Sequence, residues 1–291
     1  YSLGRFGSKP GLERIKALTE RLGSPQNHLK FIHVAGTNGK GSTSAFIANI
    51  LSCAGYSTGL YTSPYIERFN ERIRLNGKEI ADDELIEYVA RIKKAIDSMV
   101  EEGLEHPTAF EIITAMAFLY YYEKRADVVV LEVGMGGRFD ATNIIPDSLI
   151  SVITKIAMDH TDVLGDTLSK IAFEKAGIIK QNSIVVTYPQ EDSALRTIES
   201  VCRQKNATIL YAAPEEFENV ELKPGLLCFR HPGYGEIKTS LVGIHQVNNA
   251  AVALKTVEAL KQSGFTIKNS DVVEGFRTSS WPGRFELLRK N

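Results

Sequence analysis

A loop rich in glycine and hydroxyl residues is the part of this sequence best suited to chemistry. The apolar run 31–34 has the β-branched and aromatic residues of a buried strand, and residues 45–51 have the broad apolar face of a helix. The loop between them reads Gly36, Thr37, Asn38, Gly39, Lys40, Gly41, Ser42 and Thr43. Glycines let the backbone approach an anion, and a helix N-terminus presents unpaired N–H groups and a partial positive charge. The layout predicts a phosphate-binding loop in which Lys40 reaches the outer phosphates and Ser42 or Thr43 meets phosphate or a metal ion.

The spacing of this loop differs from the pattern G-x-x-x-x-G-K-[ST] of standard P-loops. Val34 stands where the first glycine belongs, and Gly41 separates Lys40 from Ser42. A strand-to-helix turn that binds nothing is the alternative interpretation. Such a turn requires neither a lysine nor two hydroxyl residues, so we favour phosphate binding.

Two further residues lie where parallel strands should end. Residues 127–133 form a nearly continuous β-branched run, typical of a strand buried on both faces, and Glu132 lies near its carboxyl end. A carboxylate there is costly unless an arginine or a metal ion compensates it. His160 follows the apolar strand 149–154 and is flanked by Asp159 and Asp162, which favours contact with metal or phosphate.

The composition limits the classes of function. The chain has 291 residues, a formal net charge of -1, 43% hydrophobic and 24% charged residues. These values are ordinary for a globular protein and provide no basic field for nucleic acid or acidic membranes. The three cysteines are widely spaced, which suits a reducing compartment, and we expect a cytoplasmic monomer. Because the chain starts at Tyr1 and not at Met, we expect preceding residues, among which a targeting segment could lie.

The order of apolar segments predicts an α/β fold. Strand and helix patterns alternate along most of the chain, which favours a mostly parallel sheet with helices on both faces. Between residues 208 and 243, short strand patterns at 209–211, 226–229 and 237–242 are joined by Gly and Pro turns. They predict a small, partly antiparallel sheet beside the main one.

Eight motifs in order resemble the folylpolyglutamate synthase/dihydrofolate synthase family of the Mur ligase superfamily. They are HVAGTNGKGS, TSPYIERFNERI, TAFEIITAMAF, LEVGMGGRFDATN, MDHTDVLG, EKAGIIK, HQVNNAAVA and WPGRFE. These motifs run from residue 33 to residue 286, and the resemblance as a whole covers residues 2–286. The resemblance implies an ATP-dependent ligase. In this family the carboxylate of a folate or dihydropteroate attacks the γ-phosphate of ATP, and the amine of L-glutamate displaces phosphate from the acyl phosphate.

The resemblance also implies roles for individual residues. Ser63, Glu132 and His160 would hold one or two Mg²⁺ ions, and Lys175 would be carbamylated. From the sequence alone, an exposed lysine at a helix end is the favoured interpretation of Lys175, and the match to EKAGIIK changes the preference to the carbamylated lysine.

The nucleotide and pterin contacts are likewise implied by the family. The residues assigned to them are Asn249 and Arg284 for the nucleotide, and Thr108, Phe110 and Asp140 for the pterin pocket. Each has a structural alternative: Thr108 with Glu111 matches a capping box, Phe110 could be core, Asn249 could be an interior helix residue, and Asp140 could be a turn residue.

Members of the family carry a second, C-terminal domain. We therefore expect residues 1–286 to be the ATP-binding domain, with a small β subdomain near 208–243, and 287–291 to begin a linker. We expect the isolated chain to bind nucleotide weakly and to ligate poorly. The alternatives are a Mur-type ligase acting on a UDP-sugar peptide, an unrelated P-loop phosphotransferase, and a nucleotide-binding domain inactive alone.

Overall fold

A large, mostly parallel β-sheet dominates the computed structural model, which describes residues 11–281 and 283. Arg284 and the predicted linker 287–291 lie outside the described residues. The strands of this sheet are β1 (Phe31–Ala35), β2 (Thr58–Tyr61), β3 (Ile73–Leu75), β4 (Lys78–Glu79), β5 (Val128–Glu132), β6 (Ile150–Ile153), β7 (Ile184–Thr187) and β8 (Thr208–Tyr211). Their order is β4-β3-β2-β5-β1-β6-β7-β8. The strands from β2 to β8 in this order are parallel, and β3 and β4 add an antiparallel edge.

Helices cover both faces of this sheet, as the alternating pattern predicts. They are α1 (Glu13–Arg21), α2 (Lys40–Cys53), α3 (Asp82–Glu101), α4 (Ala109–Glu123), α5 (Thr161–Leu164), α6 (Leu168–Ala176), α7 (Asp192–Gln204), α8 (His245–Gln262) and α9 (Asn269–Thr278). Helices α2, α8 and α9 pack together on one face, while α1, α3 and α4, and beside them α6 and α7, lie on the other.

The central strands are buried on both faces because their alternate residues enter two different cores. In β1, Ile32 and Val34 pack toward α2 and α8, whereas Phe31 packs toward α3 and α4. In β5, Val128 and Val130 face the first core, and Val129 and Leu131 face the second. This explains the continuous apolar runs, since a strand covered by helices on both sides shows no polar alternation.

A second sheet contains three antiparallel strands, β9 (Glu218–Lys223), β10 (Leu226–His231) and β11 (Gly235–Thr239), in the order β11-β10-β9. The assignment of residues 209–211 to this small sheet is wrong. That segment is β8, which pairs in parallel with β7 at the edge of the main sheet. The small sheet packs against the first core through Leu227, Phe229 and Ile237.

Within the described part of the chain, no helix is both long and apolar enough to cross a membrane.

Candidate functional site

The glycine-rich loop joins β1 to α2, and its first half is anchored to the segment that follows β6. The backbone N–H groups of Thr37 and Asn38 donate to the carbonyl of Lys155, at 2.7 and 3.2 Å. The Thr37 hydroxyl donates to the Ala157 carbonyl at 3.0 Å and accepts from the Ala157 N–H at 3.1 Å. The N–H groups of Thr37 and Asn38 already have partners. Only the backbone N–H groups after Asn38 can therefore bind an anion.

Those groups lie at the start of α2. Gly39 adopts φ 89°, in the left-handed region that glycine occupies most easily. The first hydrogen bond of the helix runs from the Thr43 N–H to the Gly39 carbonyl at 2.9 Å. The N–H groups of Lys40, Gly41 and Ser42 precede that bond and are oriented out of the helix end. This is the arrangement that binds phosphate at helix N-termini.

Helix α8 brings two amides to the same loop. A Cβ at Gly39 would stand 2.2 Å from Oδ1 of Asn249, so Asn249 lies directly against the loop, where we predicted a nucleotide contact. The Asn249 amide donates to Gln246 Oε1 at 2.8 Å, and the Gln246 amide donates to the Ser42 hydroxyl at 3.3 Å. We did not predict Gln246. Its place in HQVNNAAVA is the one signal that could have indicated it.

Two lysines converge on the carbonyl of Gly36. Lys40 Nζ donates to this oxygen at 3.1 Å and to the Thr37 carbonyl at 3.3 Å, while Lys175 Nζ donates to the Gly36 oxygen at 2.8 Å. Lys175 is 3% exposed, which rules out the exposed helix-end alternative. Burial, reinforced by the charge of Lys40, lowers the pKa of Lys175 to about 8, although Asp159 and Asp140 oppose the shift.

Ser63 and Glu132 meet at the carboxyl ends of β2 and β5. The Ser63 N–H donates to Glu132 Oε2 at 3.0 Å, and Glu132 is 4% exposed. A buried carboxylate beside a serine suits a hard cation such as Mg²⁺, which prefers oxygen ligands. His160 lies on the loop after β6, half-exposed, and its ring contacts Asp159 at 3.6 Å. In the part of the chain that the structure describes, no three His, Cys, Asp or Glu side chains form a group that could hold a metal ion.

The residues predicted for the pterin pocket lie around the N-terminus of α4 and the loop after β5. Thr108 and Glu111 form the predicted capping box: the Thr108 N–H donates to Glu111 at 2.6 Å, and the Glu111 N–H donates to the Thr108 hydroxyl at 3.3 Å. The half-buried Phe110 ring lies against that loop, since a Cβ at Gly134 would stand 2.5 Å from the ring.

Asp140 is buried and its carboxylate shapes its own loop. It accepts from the Met135 N–H at 2.9 Å, the Thr142 N–H at 3.0 Å and the Thr142 hydroxyl at 2.5 Å. Burial raises the pKa of Asp140, and these hydrogen bonds oppose the shift. In this structure Asp140 therefore acts as a turn residue, which was the alternative to a pterin contact.

Trp281 closes the other side of the phosphate loop. A Cβ at Gly41 would lie 3.1 Å from the indole, and the guanidinium of Arg74 lies 5.3 Å from the ring centre. Gly41, Ser63, Glu132, Arg74 and Trp281 line one small pocket. The structure thus brings the phosphate loop and the predicted metal residues Ser63 and Glu132 together.

Known proteins are similar to this chain in sequence and fold. Residues 34–257 match the model of the Mur ligase middle domain. A dihydrofolate synthase/folylpolyglutamate synthase of Bacillus subtilis is 42% identical over 99% of this chain and 68% of its own length. A folylpolyglutamate synthase of Lacticaseibacillus casei is 35% identical over 99% of this chain and 69% of its own length. A solved FPGS–AMPPCP–folate complex superposes with a TM-score of 0.92 at 35% identity, covering 99% of this chain and 72% of that one.

Fold and site together define a Mur ligase middle domain, an α/β domain with a glycine-rich loop between its central strand and the following helix. Within that class, the chain belongs to the folylpolyglutamate synthase/dihydrofolate synthase family.

Proposed function

We propose that this chain contains the nucleotide-binding part of an ATP-dependent ligase that joins L-glutamate to the carboxylate of a folate or dihydropteroate. The observation that carries the proposal is the set of N–H groups at Lys40, Gly41 and Ser42, beside the buried pair Ser63 and Glu132. The names of the relatives support the choice of substrates. The chain spans about two thirds of the length of these relatives, and we propose that turnover requires the part they have in addition.

The first step is phosphoryl transfer. A carboxylate oxygen of the folate or dihydropteroate attacks the γ-phosphorus of ATP, and the bond to the bridging oxygen of ADP breaks. The N–H groups at the start of α2 stabilise the negative charge on the phosphates. Lys40 contributes by moving its ammonium group from the Gly36 and Thr37 carbonyls to the outer phosphate oxygens.

The second step forms the amide. The neutral amine of L-glutamate attacks the carbonyl carbon of the acyl phosphate, phosphate leaves, and the amine loses a proton. Water must be excluded from the site during this step, because an acyl phosphate hydrolyses readily. The side chains that line the small pocket beside Gly41, among them Trp281, are placed to restrict solvent there.

Ser63 and Glu132 supply oxygen atoms, the kind of ligand that Mg²⁺ prefers. We propose that Ser63 and Glu132 hold Mg²⁺, with His160 as a further contact from the loop after β6. When bound, Mg²⁺ neutralises phosphate charge during the transfer. We also propose that Lys175 is carbamylated, which its lowered pKa of about 8 supports because a neutral amine is required.

The test is ADP release by the full-length protein with ATP, Mg²⁺ and L-glutamate, supplying dihydropteroate and tetrahydrofolate separately. Stimulation by dihydropteroate identifies a synthase, by tetrahydrofolate a polyglutamylating enzyme, and by both a bifunctional enzyme. Lys40→Ala and Glu132→Gln should abolish turnover, whereas Lys30→Ala, which removes an exposed lysine just before β1, should not. Absence of stimulation by either pterin in the wild type would overturn the folate assignment.

A further inference from the structure

A histidine lies completely buried in the central strand of the sheet. His33 belongs to β1, pairs in register with Leu131 and Ser151, and has 0% exposure. An imidazole in such a place is costly unless it is hydrogen-bonded. Neither phosphate binding nor the proposed metal site uses this side chain, so its presence requires another reason.

The hydrogen bonds of His33 lead to Asp140. His33 Nε2 lies 2.8 Å from the Thr142 hydroxyl, and that hydroxyl lies 2.5 Å from Asp140 Oδ1. A hydroxyl has one proton, and the carboxylate can only accept it. Thr142 therefore donates to Asp140, and His33 must donate to Thr142 through a protonated Nε2.

The other ring nitrogen agrees with this assignment. Nδ1 is buried and has no hydrogen-bond partner among the described residues. A neutral ring protonated at Nε2 leaves only an acceptor unpaired there, which is less costly than a buried unpaired N–H. Burial, with the nearby charge of Lys180, also lowers the pKa of His33 well below its ordinary value, so the ring is neutral.

The 3₁₀ turn that contains Thr142 is also held by contacts on its other side. Lys180 donates to the carbonyls of Asn143 and Ile145, at 3.2 and 2.7 Å, and Asn143 donates to the Gly177 carbonyl at 3.1 Å. The 3₁₀ turn Ala141–Ile144 is thus fixed to β1 by His33 and to the segment after α6 by Lys180. Of the two, only β1 continues directly into the phosphate loop.

We propose that His33 is a positioning residue that sets Asp140 and the loop 134–142 in register with the phosphate loop. It acts through Thr142 and contacts neither the nucleotide nor the pterin directly. The proposal rests on the proposed function in one respect: the loop 134–142 is taken to form the pterin side of the site. Replacing His33 should therefore raise the KM for the pterin and leave the KM for ATP nearly unchanged.

The kinetic test compares His33→Leu with His33→Gln in the full-length protein. Leucine removes the donor, and we expect the KM for the pterin to rise about tenfold, the equivalent of one hydrogen bond, with the KM for ATP within about twofold. The Gln amide can stand in for the Nε2 donor, so His33→Gln should restore most of the loss. Thr142→Val should behave as His33→Leu does, and the double variant should be no worse than either single one. His28→Leu, at an exposed histidine, is the control.

Equal losses for ATP and pterin, or no rescue by glutamine, would reduce His33 to a general core residue and overturn the proposal. A second measurement does not depend on activity. The ¹⁵N chemical shifts of the His33 ring in the wild type should show Nε2 protonated, and Thr142→Val should change them. A ring protonated at Nδ1 would contradict the proposal. If the wild type used no pterin, the folate assignment and the pterin side of this proposal would fall together, while the ring spectrum would still decide whether His33 donates to Thr142.

Discussion

At the scale of single residues, Lys175 has an unusual combination of burial and charge. Its pKa of about 8 means that about half of the amine is neutral at pH 8, against roughly one in 300 for an ordinary lysine of pKa 10.5. A neutral amine can attack CO₂, forming a C–N bond and releasing one proton. Because the amine becomes protonated below its pKa, carbamylation should decrease as the pH falls below about 8.

This prediction can be checked with ¹³C-labelled bicarbonate. The wild type should show one carbamate carbonyl resonance at pH 8.5 that weakens toward pH 6.5, and Lys175→Arg should lack it. Lys180→Arg is a matched control, because the partly buried Lys180 also has a pKa of about 8 but donates to the carbonyls of Asn143 and Ile145 instead of to the phosphate loop. A resonance that survives in Lys175→Arg would place the modification elsewhere.

Gly134 is a second residue with a defined local consequence. A Cβ there would stand 2.5 Å from the Phe110 ring, so Gly134→Ala must displace the ring. We expect the KM for the pterin to rise at least about tenfold while nucleotide affinity stays constant, since small misplacements of binding groups are costly. Gly233→Ala is the control, because its nearest contact would be an ordinary 3.5 Å to His231. An unchanged pterin KM would remove Phe110 from the proposed pocket.

At the scale of elements, the N-terminus of α4 depends on a buried ion pair. Glu111 accepts from Arg14 of α1 at 3.1 Å, and the side chains are 6% and 12% exposed. Glu111→Ala removes the carboxylate that accepts from both the Thr108 N–H and Arg14, and so breaks a buried ion pair as well as one bond of the capping box. We therefore expect a loss of about 3 kcal/mol in the free energy of unfolding. Thr108→Ala, which removes only one capping bond, should cost about 1 kcal/mol.

Denaturant unfolding of the purified variants measures both losses. Glu105→Ala is the matched control: Glu105 also contacts Arg14, at 3.3 Å, but is 68% exposed, so its removal should cost well under 1 kcal/mol. A similar loss from Glu105→Ala and Glu111→Ala would show that burial does not determine the strength of this pair.

Elements defined by local sequence could be predicted, and those defined by distant pairing could not. The capping box of α4 and the strand–loop–helix unit β1–α2 are complete within a few residues, and the structure confirms both. Residues 209–211 have the same strand pattern whichever sheet they join. Their parallel pairing with β7 depends on α7 crossing back over the sheet, which no local pattern encodes.

At the scale of the whole molecule, distant segments converge on the phosphate loop. Lys155 and Ala157 anchor its first half, Gln246 and Asn249 contact its second half, and Trp281 covers Gly41. The loop itself could be predicted from the sequence, because the strand, the glycines and the lysine follow one another directly along the chain. The inward orientation of Asp140 and the role of Gln246 depend on neighbours far along the chain, so the sequence alone did not predict them.

This convergence places the single tryptophan of the chain beside the proposed phosphate site. The indole lies 3.1 Å from where a Cβ at Gly41 would stand, and Gly41 supplies one of the N–H groups proposed to bind phosphate. A bound nucleotide should therefore change the environment of the indole. We expect ATP to alter the intrinsic tryptophan fluorescence of the 291-residue chain in a saturable manner.

Three variants make this prediction specific. Lys40→Ala should move the midpoint of the titration to at least about tenfold higher ATP, the loss of one charge-assisted hydrogen bond, whereas Lys30→Ala should leave it in place. Trp281→Phe should abolish the signal while calorimetry still detects nucleotide binding. If calorimetry showed ATP binding to the wild type without any fluorescence change, the nucleotide phosphates would not lie beside Gly41. The assignment of this glycine-rich loop as the phosphate site would then be wrong, because Trp281 and the start of α2 share one small pocket.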